Sequence, residues 1–428
     1  MAVLPACAQY AGPAILSRGE APAAMGAPQI SFRPYLELTG VYDTGLTGVA
    51  VNSNGEIGNQ DSYGVEVTGG ISGIHSWKHT MLALDYRGSY RHYTQQTYYD
   101  GSDQSLMLGI THQFTRRTSL VLHENGGLFS GGFGLLGLPQ TAQFDPSGNY
   151  IPNTDFYDNR TFFLATSANL IYQKTARLSF SFGGVGTLVE RRSSALYGVI
   201  GASANADVQY RVSRRSTIGA TYSYTHYDYI GVLSGADIHS AALTYATRLT
   251  RWWEITGFAG VARAESKFVR SVTLDPAIQA LLGIQTATAI SYGIRYTPNA
   301  AIRISRTFRR GVLYGAAGRG ITPGNGLFLT SIDTYVNGGY TFTGLRRWSL
   351  GANISQDWEK SFGNLTGRYN TFSSGFTVSR QILGSVHFVA GAAARKYGSP
   401  DFSRYNRPVY DVRVGLGFTP GAVPLRIW

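Results

Sequence analysis

Two sets of ionisable residues recur at alternate positions along the chain, and their types set the chemistry open to it. Glu37, Asp43, Glu66, Asp85, Asp207, Asp333, Asp357 and Asp411 are acidic, and Arg87, Arg91, Arg191, Arg211, Arg248, Arg295, Arg303, Arg319, Arg395 and Arg413 are basic. Each falls on the polar parity of a stretch whose other parity is apolar, so on strands they share one face. Such a face handles polar and ionic solutes. Guanidinium stays charged and grips carboxylate in a fork, so the arginine excess favours anions. A nucleophile with a base is sought at His123-Glu124, at His226 with Asp228 and at His387. His and Asp at tyrosine-rich strand ends are ordinary interfacial residues, so no catalytic residue is assigned. Without a His/Cys cluster or a carboxylate run there is no metal site either. No cofactor is expected: Gly132, Gly134 and Gly137 formally match a dinucleotide fingerprint, but no helix follows them and no βαβ unit surrounds them.

The formal net charge is +12, nearly all of it from Arg, since Lys occurs only at 78, 174, 267, 360 and 396. The arginines are dispersed over strands and turns, with no basic tail and no zinc spacing, which argues against nucleic acid as a partner. The single cysteine, Cys7, excludes an intrachain disulfide. Residues 1–29 read as the remnant of a secretory signal, with Ala6-Cys7-Ala8 as the small-x-small pattern, followed by an Ala-, Pro- and Gly-rich leader. Leu4-Pro5-Ala6-Cys7 also approaches a lipoprotein box.

These side chains need elements to hold them, and the clearest runs from Ser62 to Tyr93. Tyr63, Val65, Val67 and Ile71 alternate with Gly64, Glu66, Thr68 and Ser72; after a turn at Ser76-Trp77-Lys78-His79, Leu82, Leu84, Tyr86 and Tyr90 alternate with Asp85, Arg87, Ser89 and Arg91. That is an antiparallel hairpin with arms long enough for the ~9–11 tilted residues of a bilayer-crossing strand. No window approaches the ~18 apolar residues of a spanning helix, so a membrane span must be β. The same unit repeats to Phe418. Short turns are expected near 77, 116, 174, 214, 251, 309, 345 and 383, giving eighteen arms, and the connections between them are variable and often long. Outward parity is assigned to residues such as Leu36, Leu38, Ile302 and Val414, and on the strand after 310 to Val312, Tyr314 and Ala316. A short loop helix is expected at Asp275 to Gly283, with Gly283 as its stop. The chain therefore divides into a leader (1–29), an all-β, transmembrane, antiparallel up-and-down barrel (30–418) and a tail (419–428). A large soluble sandwich or propeller is the rival architecture.

Along about residues 31–418 the sequence resembles the bacterial outer-membrane β-barrel superfamily. The resemblance rests on the alternation, the asymmetry of turns and loops, and the final amphipathic strand Tyr410 to Phe418, YDVRVGLGF. It implies an outer-membrane location among lipid and lipopolysaccharide, short periplasmic turns, long outside loops and both termini in the periplasm. It also implies a terminal aromatic residue, Phe418 or Trp428, read by the barrel insertion machinery. General porins fold their third outside loop inward, which here is Gly131 to Asn159, with Asp145, Asp155 and Asp158 facing an arginine wall. Acids on the last and first three strands would oppose Arg295, Arg303 and Arg319 as a transverse field. Three functions remain open: a porin-like channel for small polar, chiefly anionic solutes; a conduit for acidic exopolysaccharide; and a structural or adhesive barrel.

Overall fold

The computed structural model describes residues 32–44, 61–94, 100–129, 160–192, 196–276, 279, 281, 283–326, 328–342, 347–361, 367–398 and 408–420. Eighteen strands are formed. They are β1 (Arg33–Asp43), β2 (Ser62–Ser76), β3 (Thr80–Tyr93), β4 (Gly101–Gln113), β5 (Thr118–Phe129) and β6 (Thr161–Gln173). Next come β7 (Leu178–Arg191), β8 (Gly198–Arg211), β9 (Ser216–Ile230), β10 (Gly235–Arg248), β11 (Trp253–Thr273) and β12 (Thr286–Phe308). The circuit ends with β13 (Gly311–Thr322), β14 (Ser331–Phe342), β15 (Trp348–Ser361), β16 (Arg368–Leu383), β17 (Val386–Gly398) and β18 (Pro408–Phe418).

Each strand pairs antiparallel with its sequence neighbours, and β1 pairs with β18 from Leu36↔Phe418 to Asp43↔Asp411. The sheet is a closed barrel, so within its wall every strand has a neighbour on both sides. No helix among the described residues is long and apolar enough to cross a membrane.

The alternation expected from sequence appears as exposure. Leu38 is 56% exposed, Val67 43%, Ile302 47%, Val414 49% and Leu416 53%, so the apolar parity forms the outer surface rather than a core. A continuous surface of this kind suits hydrocarbon, where the closed ladder satisfies every backbone group internally. At the short-turn end the belt is edged by arginine on aromatic rings. Arg306 lies 5.1 Å over Trp253 and 4.6 Å over Phe308, Arg380 lies 5.0 Å over Trp348, and Arg251 lies 4.7 Å over Trp252. Arg306, out of place in the parity pattern, is thereby accommodated on the outer face.

Seven of the eight expected short connections join strands where expected, and the one near 345 lies outside the described residues. Four share one device: the hydroxyls of Thr115, Thr175, Ser213 and Thr250 accept hydrogen bonds from the backbone N–H groups two and three residues ahead. A Ser or Thr at the turn's first corner therefore fixes the reversal. At the other end, β11 (21 residues) and β12 (23 residues) form a hairpin paired to Thr273↔Thr286, whereas β13 follows β12 only from Ala300. The expected helix is the tip of this projection: Gln279 N–H bonds Asp275 O, Gly283 N–H bonds Gln279 O, and Gly283 ends the turn at φ 67°. Leu281 there is 84% exposed.

One strand inverts its expected parity. On β13, Leu313 is 42% exposed and Val312 is buried, because the β12 register sets Ala316 opposite the inward Arg303 and Arg319 opposite the outward Ala300. Val312, Tyr314 and Ala316 therefore face inward. Arg319 faces outward and leaves the set of lumen residues.

Candidate functional site

The inner face is where the ionisable residues converge. Its densest part is a wall made by β18, β1, β2, β3 and β4. Glu66 sits at its centre, 1% exposed: Arg91 donates to Oε2 from Nε at 2.8 Å, and Arg413 donates to Oε1 from Nη1 at 2.8 Å. Arg87 approaches Glu66 to 3.7 Å. Arg413 Nε also donates to Asp411 at 2.9 Å, Arg91 reaches Asp103 at 3.5 Å, and the Tyr93 hydroxyl donates to Asp43 at 3.2 Å. Period-two parity puts all of these on one face, and the β1–β2, β1–β18 and β2–β3 registers bring them level. Interlocked carboxylates and guanidiniums hold each other in place, so this wall is a rigid polar surface rather than a row of unattached charges. Asp85 lies on the same wall opposite Ser72, and Glu37 opposite Thr68.

Elsewhere the expected residues are separated. Asp207 accepts from Ser181 Oγ and Asn205 Nδ2, each at 2.9 Å. Arg303 lies 5.2 Å over the Tyr314 ring on the inner face, and Arg295 pairs with Ala264 above the level at which β13 joins. Arg211 wraps onto its own turn, donating to Ser213 O and Arg214 O, so it braces the short-turn end. Arg248 sits opposite Glu254 at that same end. Arg395, opposite Ser373, is buried on β17.

The feature that sequence reading missed is what enters the lumen. The described residues of the β13–β14 connection, 323–326 and 328–330, fold inward. Leu329 (1% exposed) packs with Phe129, Phe163, Val189, Val199 and Tyr229, all on the inner face of β5 to β9. Gly326 O accepts from Tyr197 N–H at 2.9 Å, and Thr330 Oγ1 lies 3.0 Å from the Tyr229 hydroxyl. The ends of β13 and β14 lean in with it, so Ile321 and Ile332 pack against Ile238, Ala262 and Ala264 on the inner face of β10 and β11. Two glycines make the path possible. Gly324 and Gly326 have φ of 75° and 92°, and a β-carbon on Gly326 would fall 2.5 Å from Arg191 Nε. Arg191 thus serves as the platform on which this segment rests. The available signal was an apolar pair, Phe328-Leu329, inside a Gly-rich connection. Asp145, Asp155 and Asp158, the constriction residues expected from sequence, lie outside the described residues.

At the base of the inward segment Asp333, Asp357 and Glu359 come together with Tyr369 and Thr371 around a cavity of about 10 Å³. Glu359 was not in the expected acidic set, nor was Asp103. Among the described residues, these gains, with Arg319 outside and Arg211 on its turn, offset the cationic excess that parity alone suggests. Outside the interlocked β18–β4 wall, carboxylates gather on β14 and β15 (Asp333, Asp357, Glu359), while Arg191 stands on β7 and Arg295 and Arg303 on β12.

The residues considered for catalysis are dispersed. His123 faces the lumen while Glu124 faces outward, since adjacent positions on a strand point opposite ways. His226 bonds Asp237 at 2.8 Å and Asp228 at 3.1 Å on the outer face. His387 is buried beside Thr419 Oγ1 at 3.1 Å. Among the described residues no group of three or more His, Cys, Asp or Glu is arranged to hold a metal ion.

No family model matches the chain. No curated protein matches it. Among solved structures it is similar to Pseudomonas aeruginosa OccK5 (OpdH), at 12% identity and TM-score 0.42 over 93% of this chain and 99% of that one. It is similar also to P. aeruginosa OccK2 (OpdF) in complex with glucuronate, at 9% identity and TM-score 0.41 over 92% and 98%. A BenF-like porin from Pseudomonas fluorescens Pf-5 gives 10% identity and TM-score 0.42 over 91% and 98%.

Proposed function

We propose that the chain is an outer-membrane channel for small polar solutes, anions among them, narrowed by its own β13–β14 connection. The observation that carries this reading is the combination of a lipid-compatible outer face, an ionic inner face and a glycine-hinged segment lying across the lumen. A barrel of about eighteen strands leaves a water-filled interior unless something fills part of it. The inward segment filters by size, and the separated carboxylates and guanidiniums orient a solute with polar or anionic groups as it passes. Anion preference rests on where the guanidiniums stand, because their sum is offset by the carboxylates.

The apolar contact of Leu329 with the β5–β9 wall favours a second reading, a conduit that this segment shuts until a partner or polymer moves it. Planar-bilayer recordings of the intact chain and of a variant with residues 323–330 replaced by a short turn separate the two. A steady current in the intact chain that rises in the variant supports the open, narrowed channel. No current until the segment is removed supports the shut conduit, and silence from both, with the barrel folded, overturns the channel reading.

A further inference from the structure

We infer that the pocket at the foot of the inward segment binds a hard divalent metal cation of calcium's kind, and that this ion fastens the segment to the barrel wall. The inference deepens the channel reading and rests on it, because it concerns what holds the constriction in place. Asp333, Glu359 and Tyr369 stand in one row across β14, β15 and β16, with Asp357 and Thr371 in the row beside it, all on the inward parity. Thr322 and Gly324, where the segment leaves β13, complete the lining. A volume of about 10 Å³ suits a single water-sized body.

Charge says what that body is. Asp333 is 5% exposed, its Oδ1 accepts no hydrogen bond, and it makes no ion pair among the described residues. Arg319, on the neighbouring β13, faces outward, and Arg395, on β17, is three strands away. The acids beside Asp333 add to its charge instead of offsetting it, and a buried anion is costly without a cation. A different residue points the same way: Thr371, 2% exposed, lines the pocket with a hydroxyl whose oxygen has no hydrogen-bond partner. A water would serve that hydroxyl and leave the charge. A monatomic cation takes both oxygens as ligands. No three of the acids converge as a three-carboxylate centre does, so the shell mixes carboxylate with hydroxyl oxygen. Such an all-oxygen shell suits calcium, whose coordination is flexible, and not the metals that seek nitrogen and sulfur. Asp333 and Thr371 are the direct ligands, and Asp357 and Glu359 deepen the negative field. Because Thr322 and Gly324 share the pocket, an ion there joins the segment to β14–β16. Its loss leaves like charges to repel one another at the segment's foot.

The test uses the whole chain folded in detergent micelles and stripped with EDTA. Calorimetric titration with calcium chloride is expected to show one ion bound per chain. Asp333→Asn and, separately, Thr371→Val are each expected to weaken binding at least about tenfold, the scale of losses at a metal site. The hold on the segment is read by maleimide labelling of Leu329→Cys in a Cys7→Ser chain. Calcium at about four times its Kd is expected to slow that reaction about fivefold, and Asp333→Asn to remove the difference. Calcium uptake that both substitutions leave unchanged means an ion bound elsewhere and overturns the inference. Absence of uptake overturns it too; Asp333→Asn as stable in urea as the parent then identifies a proton on Asp333 as the occupant. Binding that is lost in both variants while labelling ignores calcium overturns the fastening. Neither readout needs current through the pore, so this site and the channel reading, tested in planar bilayers, fail separately.

Discussion

Glu66 shows how much of the inner wall hangs on one side chain. Both of its oxygens are taken by buried arginines, Arg91 and Arg413, which are 3% and 7% exposed. Glu66→Ala leaves two cations in place without their shared anion, and removing one partner of a buried pair costs about 3–5 kcal/mol. Urea unfolding of the purified barrel in micelles is expected to show a loss of that order, partly recovered when Arg91→Met is added. Parity identified Glu66 and both arginines as inward. It did not reveal that they bind one another, because which β2 residue lies level with which β3 or β18 residue depends on register across a barrel closed between Asp43 and Asp411. The same dependence reversed Arg319. Arg303→Ala is therefore expected to shift the reversal potential in a salt gradient, and Arg319→Ala to leave it unchanged; a shift with Arg319→Ala would restore that residue to the lumen.

At the scale of elements, the strands were legible wherever one parity was apolar and the other polar, as on β2, β12 and β18. On β13 the run Gly-Val-Leu-Tyr-Gly-Ala-Ala offers apolar residues to both faces, so alternation carries no sign there. The inner face accommodates the apolar even positions there, with Tyr314 lying under Arg303, while Ile321 on the other parity packs against β10 and β11 where the strand end leans in. The turns were legible by position, yet their stabilising device is the hydroxyl at the first corner. Ser213→Ala removes the acceptor for the N–H groups of Arg215 and Ser216. A net hydrogen bond contributes about 1 kcal/mol, and the same loss is expected at Thr115 and Thr250. Refolding midpoints of the single and triple Ala variants measure it, with near-additive losses expected because the three turns share no partners.

For the molecule as a whole, sidedness follows from the asymmetry of its two ends. One end carries hydroxyl-braced turns edged by arginine on tryptophan, a boundary that sits well where hydrocarbon meets water. The other end carries the inward β13–β14 segment and the β11–β12 projection tipped by Leu281. In the proposed channel, narrowing the lumen at the end that meets external solutes screens them before they enter, and short turns are what a barrel inserted from the periplasm draws least across the bilayer. In the Cys7→Ser chain, Leu281→Cys is therefore expected to react with an impermeant maleimide in intact cells, and Arg214→Cys only after the outer membrane is made leaky. The reverse labelling would place the projection in the periplasm and turn the inward segment into a barrier to solutes leaving that compartment.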